Sequence, residues 1–120
     1  MSTLATILVL LVALLHAFFF VLEAFLWKTP YGRKTFQLER DFAEKSAALA
    51  QNQGLYNLFL TAGLIFGLTW GPWGVVSPVV TFFLACVVVA GAVGALTVNK
   101  RIFFIQAVPA IAALVVQRLV

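Results

Sequence analysis

The sequence predicts an all-α protein: a four-transmembrane-helix bundle with a short amphipathic helix in the first cytoplasmic loop. Three observations predict it. The 120 residues are 63% hydrophobic and only 10% charged, with a mean hydropathy of +1.07, and a soluble domain of this length cannot hide so much apolar surface. The apolar residues fall into four runs close to the roughly 20 residues that a helix needs to cross the hydrocarbon core. The basic residues gather at the breaks between those runs, where they read as topology signals rather than as a nucleic-acid surface.

The first run, Leu4 to Trp27, carries no basic leader and no small-x-small cleavage site, so it reads as a permanent span. The second is Leu55 to Trp70, short but flanked by Tyr56 and Trp70 as interfacial anchors. The third is about Ser77 to Val98 and the fourth about Ile102 to Leu119. The whole of 1–120 reads as one integral membrane domain. Lone Cys86, inside an apolar run, reads as packing and allows no internal disulfide.

The connections fix the expected orientation. Loop 28–52 holds Lys28, Arg33, Lys34, Arg40 and Lys45, and loop 98–101 holds Lys100 and Arg101, together seven of the eight basic residues. With four spans both loops share a side, and the positive-inside rule makes it the cytoplasm of a plasma (inner) membrane, with both termini outside. "TPYGRK" reads as a turn, in which Pro30 fixes the backbone and Gly32 permits unusual angles. After it, "ERDFAEKSAALAQ" carries its apolar face at Phe42, Ser46/Ala47, Leu49 and Ala50, with Asp41–Lys45 and Arg40–Glu44 as i,i+4 pairs, which suggests an amphipathic helix at the inner interface or, equally, a solvated connector helix with no membrane role. The uncharged "GPWGVVSP" ends the second helix at Gly71 and Pro72 and starts the third at Pro78, with Trp70 and Trp73 as an outer aromatic belt and Trp27 and Tyr31 as the inner one.

Lipid tails are as apolar as leucine, so helices in a membrane associate through close packing and polar contacts. Gly63, Gly67 and Gly71 repeat at intervals of four, as do Ala90–Gly94 and Gly91–Ala95. These small-residue ridges are the expected helix contacts, within the chain or in a homo-oligomer through the glycine-rich faces.

Polar residues inside the runs give the candidate site. Glu23 lies four residues from the inner end of the first span, Asn57 four residues into the second and Gln106 five into the fourth, so the three are expected at one depth. His16 is seven residues from Glu23, about 10.5 Å deeper and about 20° round the helix, and Thr61 follows Asn57 by one turn. Pro109 deprives the Ile105 carbonyl of its helical partner near the same depth. The expected site is a polar stripe of Glu23, Asn57 and Gln106 with His16 and Thr61 above, and with Asn52, Gln53 and Tyr56 at its inner mouth. A carboxylate in hydrocarbon costs at least about 2.5–3.5 kcal/mol, so an intramembrane Glu needs partners and points to function. The plain alternative is that Asn57 and Gln106 only fasten helices together and that Glu23 snorkels to Lys28 or Lys100.

"LEAFLWKTPYGRKTF" and "LAQNQGLYNLFLTAGLIFG" resemble the small integral membrane family called domain of unknown function 1304, a likeness that runs from His16 through "GALTVNKRIFFIQAVPA". Its most specific part is N-Q-G-x-Y-N, here Asn52 to Asn57. The resemblance implies four transmembrane helices in a bacterial-type inner membrane, and it assigns no activity. Leu15 stands where relatives often carry an acidic residue, and Ala107 where they tend to have glycine.

The expected function is binding or carrying a small hydrophobic or amphipathic molecule, lipid- or quinone-like, whose head group the polar layer orients. The alternatives are a proton-coupled small-molecule exporter and a structural or accessory membrane subunit without a ligand. An enzyme ranks lower, because no oxyanion donor set, catalytic constellation or cofactor motif stands beside His16 and Glu23. No metal spacing is present. Expected partners are the lipid bilayer and that amphipathic ligand, not nucleic acid.

Overall fold

In the computed structural model the described residues are 2–70 and 77–119. Residues 71–76, which include Gly71 of the glycine series and Trp73 of the expected outer belt, lie outside them. The described chain is all-α: α1 Thr3–Ala24, α2 Pro30–Phe36, α3 Arg40–Thr69, α4 Pro78–Thr97, a π-helical turn Phe103–Ala107, and α5 Val108–Leu119. Two helices, α1 and α4, are long and apolar enough to cross a membrane. The segment Phe103–Leu119 is apolar but shorter.

Two expected elements differ in kind. The amphipathic helix and the second span are one continuous helix, α3, of 30 residues. Nothing between Ala50 and Leu55 stops it, since Gly54 is the weakest helix former there and a single interior glycine costs only about 1 kcal/mol. "TPYGRK" is not a simple turn but part of α2. Pro30 occupies the first helical position, where its missing N–H costs nothing, and the Thr29 hydroxyl accepts from the Gly32 N–H at 3.1 Å. Gly32 is required by space rather than by unusual angles, since a Cβ there would fall 1.9 Å from the Leu26 carbonyl oxygen. The helix closes at Gln37, which adopts φ 56° in the left-handed region, while the Leu38 N–H reaches the Arg33 carbonyl at 2.8 Å.

The chain groups into two compact units, Leu15–Phe59 and Met1–Leu14 with Leu60–Val120. In the second of these, α1, α3, α4 and α5 all contribute to one core: Val9, Val12 and Ala13; Leu64; Val80, Leu84 and Val87; Ala110 and Ala113. Small residues let the backbones close on one another. A Cβ on Gly67 would lie 2.7 Å from Val80 Cγ2 and 2.8 Å from its backbone nitrogen, and one on Gly63 would strike the Phe83 ring at 2.4 Å. On α4, a Cβ on Gly91 would lie 2.8 Å from both the backbone nitrogen and the Cβ of Ala107. These glycine faces are therefore occupied within the chain.

The π turn follows from Pro109. Proline has no N–H for the Ile105 carbonyl, and its ring crowds the preceding turn. The ladder widens instead, with the Val108 N–H bonding the Phe103 carbonyl five residues back.

In Leu15–Phe59, the inward face of α3 is a stripe of small residues, with Ala43, Ala50 and Gly54 buried on the same side as Asn57. Of the expected apolar face, Ala50 is buried and Ser46 and Ala47 are half-buried, whereas Phe42 and Leu49 are exposed. Small side chains win the inward positions because only they admit a closely packed neighbour. Trp27 packs against Phe36 at a ring separation of 4.9 Å, and its indole N–H donates to Ser46 Oγ at 3.0 Å. Lys45 pairs with Asp41 at 3.0 Å on the exposed side. Arg40 and Glu44 form no ion pair among the described residues.

Candidate functional site

The candidate site rests on Gly54 and Asn57, which stand three residues apart on one face of α3. Gly54 is buried, and a Cβ on it would sit 3.2 Å from the Phe20 carbonyl oxygen, 3.2 Å from the Ala24 nitrogen and 3.3 Å from Glu23 Cβ. The bare glycine thus lets the α3 backbone rest on α1 at the level of Glu23. One turn further, Asn57 Nδ2 donates to Glu23 Oε1. Asn57 is only 6% exposed, and Glu23 is half-buried. Within N-Q-G-x-Y-N, the glycine supplies the approach and the final asparagine supplies the hydrogen bond.

Among the described residues no lysine or arginine forms an ion pair with Glu23. Within the Leu15–Phe59 unit, Glu23 and Lys28 form no ion pair among the described residues. The carboxyl group turns to an amide on α3 instead.

His16 is fully buried, and its ring meets Phe19 edge-on at 5.7 Å. Asn52, Gln53 and Tyr56 are exposed, with Tyr56 set edge-on against Phe59 at 6.0 Å. Thr61 and Gln106 belong to the other compact unit. There the Thr61 hydroxyl donates to the Ala13 carbonyl at 2.9 Å, fastening α3 to α1. Gln106 is half-buried in the π turn. Of the expected stripe, the hydrogen bonds bring Glu23 and Asn57 together and commit Thr61 to the backbone of α1.

Sequence reasoning missed a second polar pair. Gln117 is 1% exposed, and its Nε2 donates to Thr81 Oγ1 at 2.8 Å. The Thr81 hydroxyl hydrogen is already given to the Ser77 carbonyl at 3.0 Å, so the amide must act as donor toward it. This leaves Gln117 Oε1 buried without a hydrogen-bond partner. The signal was present in the spacing, since Ala110, Ala113 and Gln117 fall at i, i+3 and i+7 on one buried face of α5. Beside this pair a shallow open depression is lined by Pro78, Thr81, Phe82 and Arg118.

Residues 10–117 match the family described as "Protein of unknown function (DUF1304)". A relative described as "Uncharacterized protein YpaA", from Lactococcus lactis subsp. lactis (strain IL1403), is 32% identical over 117 residues, covering 96% of this chain and 97% of the relative. No solved structure matches.

Proposed function

The chain belongs to the family described as "Protein of unknown function (DUF1304)", and on that premise we propose that it is an integral membrane protein that binds a small amphipathic molecule, lipid- or quinone-like, at an intramembrane polar site built on Glu23 and Asn57. The observation that carries the reading is the Asn57–Glu23 hydrogen bond, which holds an acidic side chain of an apolar helix that forms no ion pair among the described residues. A membrane carboxyl group so placed is costly unless it does work.

The membrane setting draws on the apolar helices themselves. Only 28% and 22% of the most apolar windows of α1 and α4 are buried, whereas the core helix of a soluble protein is mostly covered. We extend the reading to a four-span bundle in which part of α3 and the Phe103–Leu119 segment cross beside α1 and α4. In this reading both termini lie outside and the segments 28–52, which hold α2 and the start of α3, and 98–101 lie in the cytoplasm, a choice that rests on seven of the eight basic residues.

Native mass spectrometry of the protein released from lipid nanodiscs tests the site. The expected result is a retained small molecule on the wild type that is lost in Glu23→Gln and reduced in His16→Ala. If both variants keep the wild-type melting point and the wild-type ligand occupancy, the polar site binds nothing. A second reading, a structural membrane subunit, is favoured by the Thr61–Ala13 and Gln117–Thr81 bonds, which fasten helices to one another. It predicts that no molecule co-purifies and that the same variants act on stability alone.

A further inference from the structure

We infer that a second copy of this chain covers the exposed face of α3, in a parallel pair whose seam runs from Phe42 to Phe59; the parallel sense rests on the membrane reading above. The seam is a heptad pattern. Phe42, Leu49 and Tyr56 stand seven residues apart, and Lys45, Asn52 and Phe59 repeat the same interval three residues on. All six are exposed. At about 100° per residue they fall within one band roughly 100° wide, turned away from the side on which Ala43, Ala50, Gly54 and Asn57 are buried. A repeat of seven keeps two helices in contact along a left-handed supercoil.

The exposed area matches what a specific pair needs. Phe42, Leu49, Tyr56 and Phe59 are between 51% and 75% exposed. Full cover of one aromatic side chain removes about 150–250 Å² from solvent, so these four leave roughly 450 Å² open on each chain. With Asn52 and the stem of Lys45 added, two copies reach the roughly 1,000 Å² of a specific interface. Length rules the bilayer out as the whole cover. α3 has 30 residues, about 45 Å at 1.5 Å per residue, against a hydrocarbon core of about 30 Å. In the orientation proposed above the excess lies at the Phe42 and Leu49 end, on the cytoplasmic side. Lipid tails cover the seam only where the helix is embedded, whereas a parallel α3 follows it along its whole length.

The polar members of the seam suit a copy of the same chain. The Asn52 amide carries both donors and an acceptor, so it can bond its own image across a two-fold axis. The Lys45 ammonium pairs with Asp41 at 3.0 Å, which offsets the charge it would present to its image.

Cysteine cross-linking of the full chain in proteoliposomes, on a Cys86→Ser background, tests the seam. Phe42→Cys, Leu49→Cys and Tyr56→Cys place single thiols on it, and Glu44→Cys and Gln51→Cys place them on another exposed face. Mild oxidation is expected to form disulfide-linked dimers at the seam positions about tenfold or more faster than at the other two, because the bond needs Cβ atoms roughly 3.5–4.5 Å apart. Equal rates at all five positions, or no dimer at the seam positions, overturn the proposal. So does a mixture of Phe42→Cys and Phe59→Cys chains in which the mixed dimer dominates, since that is the antiparallel pairing. Single-molecule photobleaching of the wild-type chain, labelled at its N-terminus in liposomes at low protein density, needs no change at the seam. Two bleaching steps are expected, and a population of single steps overturns the proposal even where the cysteine variants fail to fold. Alkaline carbonate extraction of the same vesicles judges the membrane reading separately: release of the chain overturns that reading, and the cross-linking pattern still decides the seam.

Discussion

Asn57 Nδ2 donates to Glu23 Oε1 across 34 residues of sequence, joining α3 to α1 inside the Leu15–Phe59 unit. The bond is possible because Gly54, one turn earlier on the same face, carries no side chain to hold the helices apart.

Removing the donor should therefore expose the acceptor. Asn57→Leu leaves the half-buried Glu23 carboxyl group unsatisfied and is expected to lower stability by about 1–3 kcal/mol. Glu23→Gln keeps a carbonyl oxygen in the same place and should cost less. Thermal unfolding in detergent, run as a double-mutant cycle over Glu23→Leu and Asn57→Leu, should return a coupling well away from zero. Strict additivity would show that the two side chains do not act together.

Glycine substitutions should rank by what the added methyl group meets. At Gly67 and Gly91 the obstacle includes backbone, Val80 N and Ala107 N, each 2.8 Å away, whereas at Gly63 it is the ring of Phe83, which can rotate aside. Gly67→Ala and Gly91→Ala are expected to cost about 1–3 kcal/mol by overpacking, and Gly63→Ala less. Unfolding midpoints in the opposite order would contradict the contact assignment.

The Gln117–Thr81 pair should behave non-additively. Thr81→Val removes the acceptor and leaves the whole Gln117 amide buried without a partner, an expected loss of about 1–3 kcal/mol. Adding Gln117→Leu removes the stranded amide, including its unpaired Oε1, and should restore stability to the wild-type level or above. A double variant as unstable as Thr81→Val alone would refute this account of the pair.

Gln37 pays for a left-handed backbone that glycine adopts freely, at φ 56°. Gln37→Gly is expected to raise stability by up to about 1 kcal/mol, whereas Gly32→Ala, whose Cβ would meet the Leu26 carbonyl, should lower it. Parallel thermal melts of the two variants decide both signs.

Much of the helical layout is legible in the chain. The apolar runs that begin at Leu4 and Ser77 become α1 and α4, because a long apolar segment has no better way to satisfy its backbone than a helix. Pro109 marked a disturbed turn in advance, since any helix must give up a bond there, but widening to a π turn was one of several ways to absorb it. The fusion of 40–69 into one helix was not legible, because a polar stretch such as "AQNQG" carries both loop and helix character and only its packing decides.

The candidate site divides along the same line. Sequence by itself singled out polar residues within apolar runs, His16, Glu23, Asn57, Thr61 and Gln106, but not Gln117. Tertiary structure decided who meets whom. It set Asn57 on Glu23, turned Thr61 to the Ala13 carbonyl, buried Gln117 against Thr81 and left Asn52, Gln53 and Tyr56 on the outside. The physical reason is that composition and periodicity point to a residue's helix and its place along it, whereas a hydrogen bond also needs two helices to approach within a few ångströms, and that approach is set by where small residues such as Gly54 let their backbones touch.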